Sequence, residues 1–497
     1  MRETPSFRRM SADGKSRSTA WRVVIPLLVG VGLAALPVPS GLAPHAWYYF
    51  AVFAAVIVAL VTAPLPGAAC GLLGVTLIAV LGLPFNAAQR ADAAFPLPAE
   101  SIKWALAGFA NSTVWLIFGA FVFAMGYEKS GLGRRIALVL VRSLGGRTLG
   151  LGYAIMLADL VLSPFTPSNT ARSAGTIYPV IRNIPALYGS EPGESARKIG
   201  AYLMWTAFAA TCVTSSMFVT AMAPNALALE LVRKTVGIEI SWIQWFRGFL
   251  PVGALLVVTV PWLIYKIYPP EIQVSTEVPR WAAQELASMG RITARELTMA
   301  ALVLVALALW IFGGRWIDAT LVALVAIGLM VICRVVSWAD ILAYQDAWNV
   351  LAWFATMVVL ADGLGKVGFV GWLGKNAAAL LAGHSPLLVM TALIVVFFLL
   401  HYVFAGLTGH ATALLPIALA AGAAVPGMPM RGFALALVYC LGLIGVLTPY
   451  ACGPAPVYFG CGFISRKDFW RLGFVFGLIF LGALVLIGLP ALLTANG

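Results

Sequence analysis

Pro167-Ser168-Asn169-Thr170-Ala171-Arg172 sets three small hydrogen-bonding side chains and a cation inside a segment otherwise apolar enough to lie in lipid. Main chain that leaves a helix at membrane depth must be buried in protein or line a watery cavity, because each unsatisfied amide or carbonyl costs several kcal/mol. A second stretch of this kind, Leu407-Thr408-Gly409-His410-Ala411-Thr412, interrupts an equally apolar run in the second half. Each break leads into a helical stretch containing a proline, Pro179 in the first case and Pro416 in the second. The pairing predicts a chain duplicated around two broken hairpins.

The surroundings set the class. Of 497 residues, 61% are hydrophobic and only 10% charged, with 49 glycines and a mean hydropathy of +0.94. That composition excludes a soluble domain and implies an all-α polytopic membrane protein. The net charge of +13 is not read as a nucleic-acid footprint, since the basic residues lie between apolar runs, where cytoplasmic loops collect Lys and Arg. Cys70, Cys212, Cys333, Cys440, Cys452 and Cys461 show no C-x-x-C spacing and read as small core residues, so neither a disulfide frame nor a metal site is expected. Arg2, Arg8, Arg9, Lys15, Arg17 and Arg22 precede the first apolar segment, and no A-x-A cleavage site follows. Residues 1–20 are therefore expected to be a cytoplasmic tail before a retained first helix, rather than a signal or transit peptide.

Windows of roughly 20 residues predict about eleven spans. The first four lie near 21–38, 45–63, 67–84 and 113–128. Lys129, Arg134, Arg135, Arg142 and Arg147 crowd the next loop and place it on the cytoplasmic side with the N-terminus. The run 149–181 then ends in a second charged loop with Arg182, Arg197 and Lys198. A single crossing would put that loop outside, so 149–181 is read as a re-entrant hairpin with Ser168, Asn169 and Thr170 at its tip. The stretch 199–232 is too long for one crossing and contains Thr214-Ser215-Ser216 and Pro224-Asn225, which predicts a helix broken in mid-membrane. A sixth span near 248–267 closes the first half, residues 21–267, and 268–297 forms a cytoplasmic linker. The second half, 298–497, repeats the plan with a hairpin at 387–421 and a broken span near 432–463.

Residues 123–131 resemble 360–368, and the offset between these segments, about 237 residues, also separates Pro179 from Pro416. Five spans per repeat is an odd number, so the halves run inverted. Inverted repeats with discontinuous helices mark secondary transporters, whose substrate site lies between the breaks. Half-helices that end in mid-membrane present free amides at their N-termini, each worth about half a positive charge, and two facing tips form an anion cradle that suits a carboxylate. Ser168, Asn169, Thr170 and Thr408 add donors, and Gly409 allows close approach of a ligand to the main chain. The competing reading is that these residues only cap the hairpin helices.

Arg172 and His410 are the ionisable residues nearest the tips and the candidates for balancing an anion's charge; for Arg172 the alternative is pairing to a carbonyl or to Asp159. His401 reads as a core residue. In the broken spans, Thr214, Ser215, Asn225, Thr448, Pro449 and Gly453 are expected to face substrate or a cation, the alternative being a plain proline kink.

The stretches PSNTARSAGTIYPVI (167–181), TSSMFVTAMAPN (214–225), LTGHATALLPIALA (407–420) and LTPYACGPAPVYFGCGFISRKDFWRLGF (447–474) together resemble the divalent anion/sodium symporter family. Within it they are similar to the bacterial and plastid exchangers of the 2-oxoglutarate/malate and citrate/succinate kind. The resemblance runs through nearly the whole chain in order. It implies an 11-span fold with two re-entrant hairpins, a homodimer in the bacterial inner membrane, and an elevator-like moving domain. It also implies di- or tricarboxylates bound by the hairpin triplets, and neither a cofactor nor a nucleic-acid partner. One departure bears on coupling: sodium-coupled members repeat Ser-Asn-Thr in the second hairpin, where this chain has Thr408-Gly409-His410. A basic residue there repels Na+ and can itself supply compensating charge, so sodium-independent exchange is expected, with sodium-coupled symport as the alternative. A membrane-embedded enzyme would need a constellation such as HExxH or GxSxG with His and Asp, and a channel a continuous polar pore; the chain carries neither signature. Between succinate, malate, 2-oxoglutarate, tartrate and citrate the residues do not choose.

Overall fold

The computed structural model describes residues 13–381 and 383–495, so the first twelve residues of the expected tail lie outside it. All regular structure in that range is helical. Seven helices are long and apolar enough to cross a membrane, eight if Leu97–Ala110 and Ser112–Ser130, bent by 41°, count as one span. Five shorter apolar helices accompany them, and eleven crossings would require the shorter and broken helices as well. The chain is an integral membrane protein.

The first half opens with α1 (Asp13–Ala35), α2 (Pro44–Thr62), α3 (Gly67–Val80), α4 (Leu97–Leu106), α5 (Ser112–Ser130) and α6 (Leu132–Leu144). Asn111 caps α5 by accepting from the Thr113 amide at 2.9 Å, and Gly131 ends it at φ 79°, a left-handed position suited to glycine. The first hairpin follows. Its entering arm is α7 (Thr148–Leu162), which tightens into a 3-10 turn at Ser163–Phe165; the leaving arm begins at Thr170 as a π-helix to Ile177 and continues to Ile181. The wide turn ends where Pro179, with no N–H to give, enters the helix. The expected broken span comprises α8 (Gly200–Met217) and α9 (Ala223–Val236), separated by a short 3-10 turn, and α10 (Trp242–Ile267) ends the half.

After the connecting helix α11 (Glu277–Ser288), the second half has α12 (Ala294–Phe312), α13 (Ala319–Ile332), α14 (Gln345–Lys366) and α15 (Phe369–Leu381). The second hairpin consists of α16 (Pro386–Leu399) and α17 (Leu407–Ala423). Here the irregular stretch falls at 404–406, and Leu407-Thr408-Gly409 is already the first turn of α17, entered through Gly406 at φ 133°. Then come α18 (Met430–Leu443), α19 (Ala455–Gly460) and α20 (Arg466–Ala483), which runs on through a π turn at Leu484–Gly488 into a final helix, Leu489–Ala495.

Packing sorts these helices into two groups. α8 is buried along its whole length, packed on α7, α10 and α18. Gly442 permits the α8–α18 approach, since a Cβ there would collide with Ser216 and with the Cys212 carbonyl. Ser216 Oγ donates to the Tyr439 carbonyl, Tyr439 Oη to the Trp245 carbonyl and Trp245 Nε1 to the Ser216 carbonyl, each at 2.8 Å, which locks α8, α18 and α10 together. These helices, with the hairpins and with α9, which packs on α17, make an inner body. α2, α3, α5, α13 and α14 pack on one another as a frame, joined for instance by Tyr49 Oη donating to the Leu360 carbonyl at 2.9 Å.

The two charged loops flanking the first hairpin should share one membrane face. Ser143→Cys and Ala186→Cys, both at exposed positions, should react with an impermeant thiol reagent from the same side of sealed vesicles; labelling from opposite sides would contradict the hairpin.

Candidate anion-binding site

The two hairpin tips meet at a cavity of about 400 Å³. Pro167, Ser168, Asn169 and Thr170 line it from the first hairpin, Phe404 to Gly409 from the second, and Gly453 from the broken stretch of the second half. Met222, Ala223 and Pro224, at the break between α8 and α9, complete the inner-body wall. The frame contributes Leu60, Val61, Phe121, Val350 and Trp353. Among the described residues, no charged side chain is present in the lining.

The polar groups come from helix starts. Ser168 Oγ accepts from the Ala171 amide at 3.1 Å, so this hydroxyl does cap the leaving arm while its residue faces the cavity. Asn169 lies at the same turn with only a long 3.9 Å contact to Met222 Sδ, which leaves its amide group available to a ligand. Thr408 and Gly409 stand in the first turn of α17, whose leading amides have no intrahelical acceptor. A Cβ at Gly409 would find nothing closer than 3.8 Å, so the space beside it belongs to the cavity. The tips thus offer amides, hydroxyls and a carboxamide from two directions, a donor set for an anion.

The first hairpin meets the second half at Thr170. Its Oγ1 lies where a Cβ on Gly453 would have to go, and one turn further Ser173 Oγ and Tyr458 Oη are 2.8 Å apart. The first hairpin therefore rests on the broken stretch of the second repeat.

The remaining sequence-derived candidates do not line this cavity. Arg172 is fully buried behind the first tip. Its Nε donates to Asp159 Oδ2 at 3.1 Å, Nη1 to the Thr166 and Ala221 carbonyls, and Nη2 to the hydroxyls of Thr211, Thr214 and Ser215. Thr214 also donates to Asp159. Thr214 and Ser215 thus serve the guanidinium, and Arg172 takes the pairing with Asp159 rather than a place on the wall. Asn225 Nδ2 donates to the Ser215 and Phe218 carbonyls at 2.7 and 3.0 Å, satisfying main chain freed by the break. Thr448 is buried, accepting from the Tyr450 amide, and Pro449 is half-buried beside it. His410 faces away from the cavity because successive helix positions turn by about 100°; it is enclosed by Phe397, Phe404 and His401, with ring centroids 4.3, 5.2 and 5.0 Å away. His401 Nε2 bonds to the Ala451 carbonyl at 3.0 Å. The frame wall was not legible in advance: Leu60, Val61, Phe121, Val350 and Trp353 sit inside ordinary apolar runs and carry no local signal.

Paired hairpins converging on a polar cavity inside an all-α membrane body are the architecture of a secondary transporter. The chain matches the family described as "Sodium:sulfate symporter transmembrane region" over residues 17–493, and it belongs to the divalent anion/sodium symporter family. It is 50% identical over 485 residues to the citrate/succinate antiporter of Escherichia coli K12, covering 97% of this chain and 99% of that protein. It is 51% identical over 472 residues to the L-tartrate/succinate antiporter of the same strain, covering 94% and 97% respectively. The Alcanivorax borkumensis YdaH transporter shares the fold, with a TM-score of 0.54 at 17% identity, over 80% of this chain and 89% of that one.

Gly453→Ala should push Thr170 out of the tip. Substrate binding is expected to weaken by about 1–3 kcal/mol, roughly tenfold or more in affinity. Gly460→Ala, where a Cβ meets nothing within 4 Å, should leave affinity within twofold. Equal affinities for the two variants in a binding titration would detach Thr170 from the site.

Proposed function

We propose that this protein is a carrier that exchanges di- or tricarboxylates across the bacterial inner membrane, and that it performs no reaction on them. The observation that carries this reading is the cavity itself: two helix starts with Ser168, Asn169, Thr170 and Thr408 converge on a space with no carboxylate in its lining. A polyanion meets donors there and no like charge. Relatives that exchange succinate for citrate or for tartrate, at 50% and 51% identity over nearly the full chain, support carboxylates as the substrates and antiport as the mode.

The inner body carries the site, and its movement against the frame is the transport step. Supporting this, the frame presents mostly apolar side chains to the cavity, and polar side-chain links between the two groups cluster away from it. They include Asn111 Nδ2 donating to Glu230 at 2.9 Å, midway along α9, and Lys234 paired with Asp362 at 2.9 Å near its end. The halves are also asymmetric. Beside the first hairpin a cavity of about 510 Å³ opens between Thr166, Ala171 and Arg182 on one side and Ala124, Glu128 and Arg134 on the other. The equivalent space beside the second hairpin, between α15 and α17, measures about 340 Å³. With the basic loops cytoplasmic and the N-terminus on the same side, the larger space beside the first hairpin supports an inward-facing state of an elevator, proposed to work as a homodimer. Coupling is independent of sodium: the second tip offers Gly409, without a side chain, and His410, turned away from the cavity.

Proteoliposomes loaded with unlabelled succinate should take up labelled citrate or tartrate as fast in choline buffer as in sodium buffer, and empty vesicles should take up almost none. Concentrative uptake of carboxylate or sulfate into empty vesicles under an inward sodium gradient would contradict exchange and favour sodium-coupled symport.

A further inference from the structure

The wall that the frame turns toward the cavity is apolar at Leu60, Val61, Phe121 and Val350, and it carries one side chain able to donate a hydrogen bond, Trp353. Six other indole N–H groups end on main-chain carbonyls, among them Trp348, five residues earlier on α14, which donates to Ile341 at 3.0 Å, Trp115 to Phe109 at 2.8 Å and Trp245 to Ser216 at 2.8 Å. Trp104 and Trp205 have no acceptor but are sealed within the helix packing. Trp353 is half-buried at the cavity, and its Nε1 has no acceptor among the described residues. Its pyrrole edge lies beside the turn between α2 and α3, where a Cβ on Gly67 would come within 3.1 Å of Cδ1 and 3.5 Å of Nε1.

An indole N–H in an apolar wall is a costly group unless something accepts from it, and the cavity is where an acceptor arrives. We propose that Trp353 Nε1–H donates to a carboxylate or hydroxyl oxygen at the end of the bound acid that points away from the hairpin tips. This rests on the carboxylate-exchange reading. It adds a substrate contact made by the frame, whereas every other donor at the cavity belongs to the inner body. When the inner body moves, the substrate travels with the tips and leaves Trp353 behind. The contact therefore exists only while the cavity stands beside the end of α2 and the start of α14. Trp353 is accordingly a specificity residue for one membrane face, acting on acids long or branched enough to reach from the tips to the frame, with citrate the fullest case.

The test uses the full-length protein reconstituted in one orientation, with KM for citrate measured separately at each face against succinate on the other. Trp353→Phe keeps the aromatic bulk and removes the N–H; it should raise KM about tenfold at the face carrying the α2–α3 turn and leave the opposite face within twofold. Gly67→Ala, which presses on the Cδ1–Nε1 edge of the ring while keeping the N–H, should act on the same face, and it decides the matter if Trp353→Phe does not reconstitute. Equal changes at both faces, or no change at either, would overturn the proposal. Failure of the unsubstituted protein to exchange citrate for succinate would refute the carboxylate reading instead.

Discussion

A guanidinium buried at membrane depth holds the site together. Removing one partner from a buried ion pair costs about 3–5 kcal/mol, because the other charge is left uncompensated. Arg172 meets that constraint with six acceptors drawn from the entering arm of its hairpin, the corner before the tip, the end of α8 and the turn that follows it. Four separate pieces of chain are thereby pinned around one side chain. The tip residues Ser168, Asn169 and Thr170 lie just before Arg172 in sequence, so the same bonds that satisfy the cation aim those residues at the cavity. The irregular main chain at 166–169 and 218–222 also finds partners there: the Thr166 and Ala221 carbonyls are two of the acceptors, as lipid would demand of backbone outside a helix.

From that fixed hairpin the rest of the site follows by contact. Thr170 rests on Gly453, and Ser173 reaches Tyr458, so the first hairpin is seated on the broken stretch of the second repeat. His401 ties the second hairpin to Ala451 in the same stretch. The inner body thus moves as one piece if it moves at all, while its contact with the frame at the cavity is mainly through Leu60, Val61, Phe121 and Val350. Apolar contact without directional bonds resists sliding less than a polar seam would, so the polar links to be exchanged on the way are those away from the cavity, such as Asn111 to Glu230.

The hairpins and the paired breaks were legible because lipid leaves few explanations for Ser, Asn, Thr, Gly and Pro clustered in apolar runs. Pro179 and the Pro224-Asn225 pair mark places where the helices do stop or change pitch, whereas Pro416 lies inside the continuous helix α17. The charges were harder to place. Sequence spacing puts Arg172 two residues and His410 one residue beyond wall-lining positions, but one or two residues on a helix change the direction a side chain faces. Arg172 turns into its own knot and His410 into an aromatic cage. Trp353 shows the opposite case: it reads as one more aromatic residue in a span, and only the folding of α14 against the α2–α3 turn brings its indole to the cavity. Residues whose role is set by the neighbouring repeat leave no local pattern to read.

The central claim is that a carboxylate sits between the two hairpin tips. The most direct measurement is a cryo-electron-microscopy map of the protein with saturating citrate, compared with one in a carboxylate-free buffer. Density confined to the citrate map and within hydrogen-bonding distance of Asn169 and the first-turn amides of Thr408 and Gly409 is the predicted result. Citrate density elsewhere in the inner body, with these tips unoccupied, would contradict the account.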